Sequence, residues 1–118
     1  MNNIILGKTK DFAVRIIKLY KILRFDQNEY VLSKQLLRSG TSIGANTREA
    51  MRGQSKADFY SKLNIALKEA DETAYWLELL FETDYITKRQ FDSIYKECEE
   101  ILSLLVSITK KQNQNITQ

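Results

Sequence analysis

Two pairs of side chains have the types and spacing to do chemistry. Glu69 and Glu72 stand three residues apart, and so do Asn46 and Glu49, with Arg48 adjoining Glu49. On a helix this spacing puts both members of a pair on one face. Paired carboxylates in a helical bundle can hold a hard cation or share a proton. The familiar di-metal pattern of bundles also needs Glu-x-x-His elements, and this 118-residue chain has no histidine. Haem, structural zinc and His-based catalysis lose their usual ligand or base with it. Cys98, the single cysteine, lies in KECEEILSLL with no visible base, which reads as a small buried side chain rather than a nucleophile. A single cysteine also excludes an internal disulfide. No phosphate loop is present. These residues point away from an enzyme, a metal protein or a cofactor carrier, and toward polar contacts between helices.

A third set is basic. Lys10, Arg15, Lys18, Lys21, Arg24, Lys34 and Arg38 crowd the first third of the chain. Residues 1–60 hold 11 Lys/Arg against 5 Asp/Glu, whereas residues 61–118 hold 7 against 10. The formal net charge of +3 is therefore a basic half joined to an acidic one. Such asymmetry can steer an acidic partner to one surface, or pair the basic region of one copy with the acidic region of another. A lysine-rich helix face can also be merely solvated.

The elements that must position these residues are helices. Phe12, Ile16, Leu19 and Leu23 recur at steps of three and four, with Ala13, Ile17 and Tyr20 widening the stripe, which predicts a helix over about 8–25. A second helix is expected over about 29–52, presenting Leu32, Leu36 and Leu37 as large knobs, then Ser39, Ile43 and Thr47. Gly53 would stop it, and Ser55 would cap the next, with Asp58 in its first turn. The third, over about 56–83, carries Phe59, Leu63, Ala66, Leu67, Ala70, Ala74, Leu77, Leu80 and Phe81 in helical register. Thr87 would cap a fourth, running to about 110 on Phe91, Ile94, Tyr95, Cys98, Ile101, Leu102, Leu105 and Ile108. No strand pattern has comparable length. Hydrophobic content is 43% and charged content 28%, the composition of a folded soluble chain. One all-α domain spanning 1–118 follows: an up-and-down four-helix bundle with a short flexible tail from about 112. No apolar run reaches the roughly 18 residues of a membrane span, and the start lacks the build of a signal peptide. A cytoplasmic protein without membrane attachment is expected.

Residues 37–50, LRSGTSIGANTREA, thin the second helix sharply. Gly40 and Gly44 share one face, and each costs about 1 kcal/mol relative to alanine in a helix interior. Close helix packing would offset that cost, with Phe59, Leu63 or Leu67 as candidate neighbours. Asn46 and Glu49, if turned inward, would need partners, and Arg38 is the nearest cation on their own helix.

The order of these residues resembles a known family. Arg38-Ser39, Ser42-Ile43-Gly44-Ala45-Asn46 and Arg48-Glu49 are similar to its second-helix signature, and Phe59–Leu80 resembles its third helix, matching at Leu63, Ile65, Ala66 and Glu72. The family is that of the bacterial 23S rRNA intervening-sequence proteins, or S23 ribosomal proteins, related to accessory proteins of diversity-generating retroelements. The resemblance spans nearly the whole chain. It implies a four-helix bundle assembled as a homopentameric ring, and a basic scaffold for structured RNA, DNA or a ribonucleoprotein. By the same resemblance Arg38, Ser42, Asn46, Glu49, Glu72 and Trp76 are structural or interface residues. Thr47, Ala50 and Glu69-Ala70 depart from the family pattern. The competing expectation is a protein-interaction adaptor that uses Tyr75, Trp76, Tyr85 and Tyr95 as anchors.

Overall fold

The computed structural model describes residues 2–116, and side chains within 4–112. Its helices are α1 (Asn2–Lys21), α2 (Leu32–Met51), α3 (Lys56–Glu82) and α4 (Lys88–Ile116), with one π-helical turn, Ile22–Asp26, prolonging α1. Among the described residues there is no strand. Short connections force successive helices antiparallel, so α1 packs on α2, α2 on α3 and α3 on α4. α1 meets α4 far more sparsely. The result is the expected up-and-down bundle, a rod of 51 × 22 × 22 Å. No helix among the described residues is long and apolar enough to cross a membrane.

The predicted stripes make the core. Phe12, Ile16, Leu23, Leu36, Ile43, Leu63, Leu77, Leu80, Cys98, Ile101 and Leu105 are all fully buried. Three expectations fail: Ile17 is 39% exposed, and Tyr20 and Leu37 are only partly buried and do not pack against the core. The stripe instead extends backwards through Ile5 and Thr9, which explains why α1 starts near Asn2 rather than at Lys8. Two buried hydroxyls bond within their own helix, Thr9 to the Ile5 carbonyl at 2.8 Å and Thr47 to that of Ile43 at 2.8 Å. Thr47 thus departs from the family pattern without leaving an unpaired polar group.

The helix ends follow local chemistry. Ser55 accepts the Asp58 N–H at 3.1 Å. Thr87 and Gln90 cap each other reciprocally, Gln90 N–H to Thr87 Oγ1 at 3.1 Å and Thr87 N–H to Gln90 Oε1 at 2.8 Å. α2 begins three residues later than expected, because Glu29 caps the helix from outside it. Its carboxylate accepts the N–H groups of Val31, Leu32 and Ser33 at 3.1, 2.8 and 2.6 Å. α4 runs on past Lys110 to Ile116, and Gln112 accepts a bond from Asn64 of α3 at 3.2 Å. Of the tail expected from about 112, residues 117–118 lie outside the described residues.

The small-residue stretch of α2 is a point of close approach, but to α1. A Cβ on Gly40 would come within 2.8 Å of both Ile16 γ-carbons, and one on Gly44 within 3.3 Å of the Thr9 carbonyl oxygen. The expected neighbours Phe59, Leu63 and Leu67 are not the ones these glycines meet. α2 turns its glycines to α1 and the Ser39 line to α3, where Ser39 and Thr73 hydroxyls bond at 2.8 Å.

Candidate nucleic-acid interface

The polar motif residues divide into two groups. Arg38 leaves α2 for α3, where its guanidinium donates to Glu69 Oε2 at 3.0 Å and to Glu72 Oε1. Its Nε reaches Gln35 Oε1 at 3.3 Å, and Trp76 Nε1 donates to the same Glu72 oxygen at 3.2 Å. The hydrogen bond with Glu72 holds the Arg38 pKa above its already high ordinary value. Arg38, Glu72 and Trp76 therefore form one clasp, completed by Glu69. The Glu69–Glu72 pair, a possible cation site by spacing alone, is occupied by a guanidinium. Ser42, Asn46 and Glu49 stay apart from it. Ser42 Oγ donates to the Arg38 carbonyl at 2.6 Å, and Asn46 Nδ2 to the Ser42 carbonyl at 2.8 Å. Glu49 is exposed and meets Lys62 of α3 at 3.9 Å, so neither Asn46 nor Glu49 finds Arg38.

The seven expected cations are engaged in different ways. Arg15 crosses to α4, donating to Glu97 at 3.1 Å and Ser93 at 3.2 Å. Lys18 lines a small groove in that α1–α4 seam, with Leu19, Ile22, Ile86, Gln90 and Ile94. Arg38 is matched by two carboxylates, and Arg24 lies over the ring of Tyr30, 4.1 Å from its centroid. Lys21 and Lys34 are exposed.

Lys10 belongs to a different feature. Between α1 and α2 runs a groove of about 620 Å³, with Lys10, Arg48 and Arg52 in its lining. Its walls are otherwise mostly small: Thr9, Ala13, Thr41, Gly44 and Ala45, with Leu6 and Glu49. The close helix contact at Gly44 and the short neighbours around it leave the space open. Among the described residues, none of the three cations has an acidic partner within 4.0 Å, while Glu49 in the same groove leans to Lys62. Arg48 and Arg52 were absent from the basic set drawn from sequence. Their signal was present in the four- and three-residue steps Thr41–Ala45–Arg48–Arg52. Guanidinium forks and an ammonium over small side chains are suited to phosphate oxygens, which they bind without reading sequence.

Cys98 and Tyr95 are engaged within the fold. Cys98 is fully buried, and burial, with Asp71, Glu99 and Glu97 nearby, pushes its thiol up to about 12. Tyr95 donates to Glu78 at 2.8 Å, and that bond, with burial, raises its phenol to about 12. Tyr85 and Trp76 are half-buried against the core, leaving Tyr75, 54% exposed, as the open anchor of the four.

The described 23S rRNA-intervening sequence protein family matches residues 1–107. A crystal structure from Bacteroides thetaiotaomicron, of a protein with unknown function from the S23 ribosomal protein family, superposes with a TM-score of 0.91. It is 60% identical and covers 92% of this chain and 97% of its own. No curated protein matches the sequence significantly.

Proposed function

The chain belongs to the 23S rRNA-intervening sequence protein family, and on that footing we propose that it is a non-enzymatic, self-associating scaffold that grips structured RNA by its phosphates. The observation that carries this reading is the α1–α2 groove, where Lys10, Arg48 and Arg52 share a lining with a single carboxylate, Glu49, which leans away to Lys62. Three cations in one groove make a weak site alone. A ring of copies, the pentamer expected from the family, repeats it and multiplies its avidity. The protein works in the cytoplasm, with no cofactor.

The test is equilibrium binding of nuclease-treated protein to structured RNA and duplex DNA across a salt series, with native mass measured alongside. Submicromolar RNA binding at low salt, weakening steeply as salt rises, is the expected result. The double variant Arg48→Ala/Arg52→Ala should weaken binding to all sequences alike and flatten the salt slope by about 2, one for each lost phosphate contact. A preference for RNA over DNA assigns the role to RNA. Absence of binding to either by folded, assembled protein favours the protein adaptor instead, for which exposed Tyr75, packed at 5.3 Å on Trp76, is the specific support.

A further inference from the structure

The turn between α1 and α2 displays what the core does not use. Leu23 plugs the bundle end at 0% exposure, but Phe25 is 66% exposed, Tyr30 50% and Val31 71%. These rings are not carried by a loose end. The π-helical turn closes with Gln27 N–H on the Ile22 carbonyl at 3.1 Å and Glu29 N–H on that of Leu23 at 2.8 Å. Asn28 takes a left-handed conformation, φ 56°, and accepts the Tyr30 hydroxyl at 3.0 Å. Gln27 Nε2 ties the turn to the Tyr85 carbonyl of the α3–α4 connection at 3.0 Å. A wider helical turn redirects the side chains that follow it, and such turns recur at functional sites.

The Arg24 guanidinium lies over both exposed rings, 5.4 Å from the Phe25 centroid and 4.1 Å from that of Tyr30. Lys21 and Lys34 are exposed on the flanking helices. Of the acidic residues in the turn, Glu29 is occupied by three backbone N–H groups, which leaves Asp26 exposed. Exposed rings beside cations are the chemistry that holds an unpaired base while its phosphates are neutralised, and Arg24 over one face of each ring leaves the other face for the base. We infer that Arg24, Phe25 and Tyr30 form a stacking site for an unpaired RNA base. The inference rests on the proposed RNA scaffold and adds to it. The α1–α2 groove takes backbone phosphates, and this turn, some 15 residues or about 22 Å further along α1, takes a base from a loop or bulge.

The test uses the full chain, an RNA hairpin with 2-aminopurine in its loop, and a blunt duplex of the same stem. Phe25→Leu and Tyr30→Leu keep apolar bulk at exposed positions and remove the aromatic face. The wild type should bind the hairpin more tightly than the duplex and quench the loop base. Each leucine variant should lose the quench and bind the hairpin roughly 5- to 100-fold more weakly, with duplex binding and native mass unchanged. Equal binding of hairpin and duplex, or leucine variants that bind the hairpin like wild type, overturns the stacking site and leaves the phosphate groove standing. A changed native mass in the variants assigns the rings to contacts between copies, and also overturns it. Wild type that binds neither RNA at low salt overturns both readings.

Discussion

Of the four glycines, Gly40 has the least room for a side chain. Replacing glycine by alanine in a helix interior ordinarily gains about 1 kcal/mol of helix propensity. Here the added methyl would meet both γ-carbons of Ile16, a β-branched side chain with few rotamers to retreat into. Gly40→Ala should therefore destabilise the protein, by roughly 1–3 kcal/mol as overpacking does. Gly44→Ala should cost less, since its methyl would sit 3.3 Å from the Thr9 carbonyl oxygen. Urea midpoints of the two variants check the order, and equal midpoints would refute it. The spacing of the two glycines made a close approach legible in the sequence. Which helix approaches was not, because the faces toward α1 and α3 both carry small residues: Gly40 and Gly44 on one, Ser39 on the other. A clasp such as Arg38 with Glu69 and Glu72 is equally hidden, since its partners lie about 30 residues away.

At the scale of the element, helix existence and core faces were legible because apolar steps of three and four persist over five or more turns. The ends were legible where capping is local, as at Ser55 and Thr87. They were not where a side chain reaches round from outside, as at Glu29. Burial pushes the Glu29 pKa up, but its bonds from Ser33, Leu32 and Val31 outweigh burial and leave it lowered. A carboxylate so lowered stabilises the fold above its unfolded pKa, and the contribution is lost as pH falls through the folded value. Glu29→Gln should thus be less stable than wild type at pH 7, by about 1 kcal/mol, the usual worth of a helix cap. The gap should narrow as pH drops below the ordinary glutamate range, about 4.3. Thermal melts of both proteins from pH 7 to pH 3 measure it, and a gap that does not change with pH would remove Glu29 as the titrating cap.

For the whole molecule, charge counts matter less than where each charge is spent. The basic first half was legible, but pairing depends on which helices become neighbours. Arg15 and Arg38 are held by carboxylates of α4 and α3, whereas Arg48 and Arg52 enter a groove without close acidic partners. Arg38→Gln should accordingly leave RNA affinity and its salt slope unchanged in the salt-series assay. It should cost at most about 1 kcal/mol of stability, because the Arg38 side chain is 47% exposed. A fall in affinity matching that of Arg48→Ala/Arg52→Ala would place Arg38 back in the binding surface. The seam between α1 and α4 has a consequence of its own. It is crossed by Lys8–Glu100 and Arg15–Glu97, water-exposed pairs that hold weakly. α1 is thus packed mainly on α2 and paired to α4 at the surface, while its Phe12 and Ile16, and Leu23 of the turn that prolongs it, stay in the shared core. Salt that screens those two pairs should therefore loosen the rim of the α1–α4 seam before it affects the buried core. One wall of the α1–α2 groove is thus carried by the helix whose far edge is fastened most lightly.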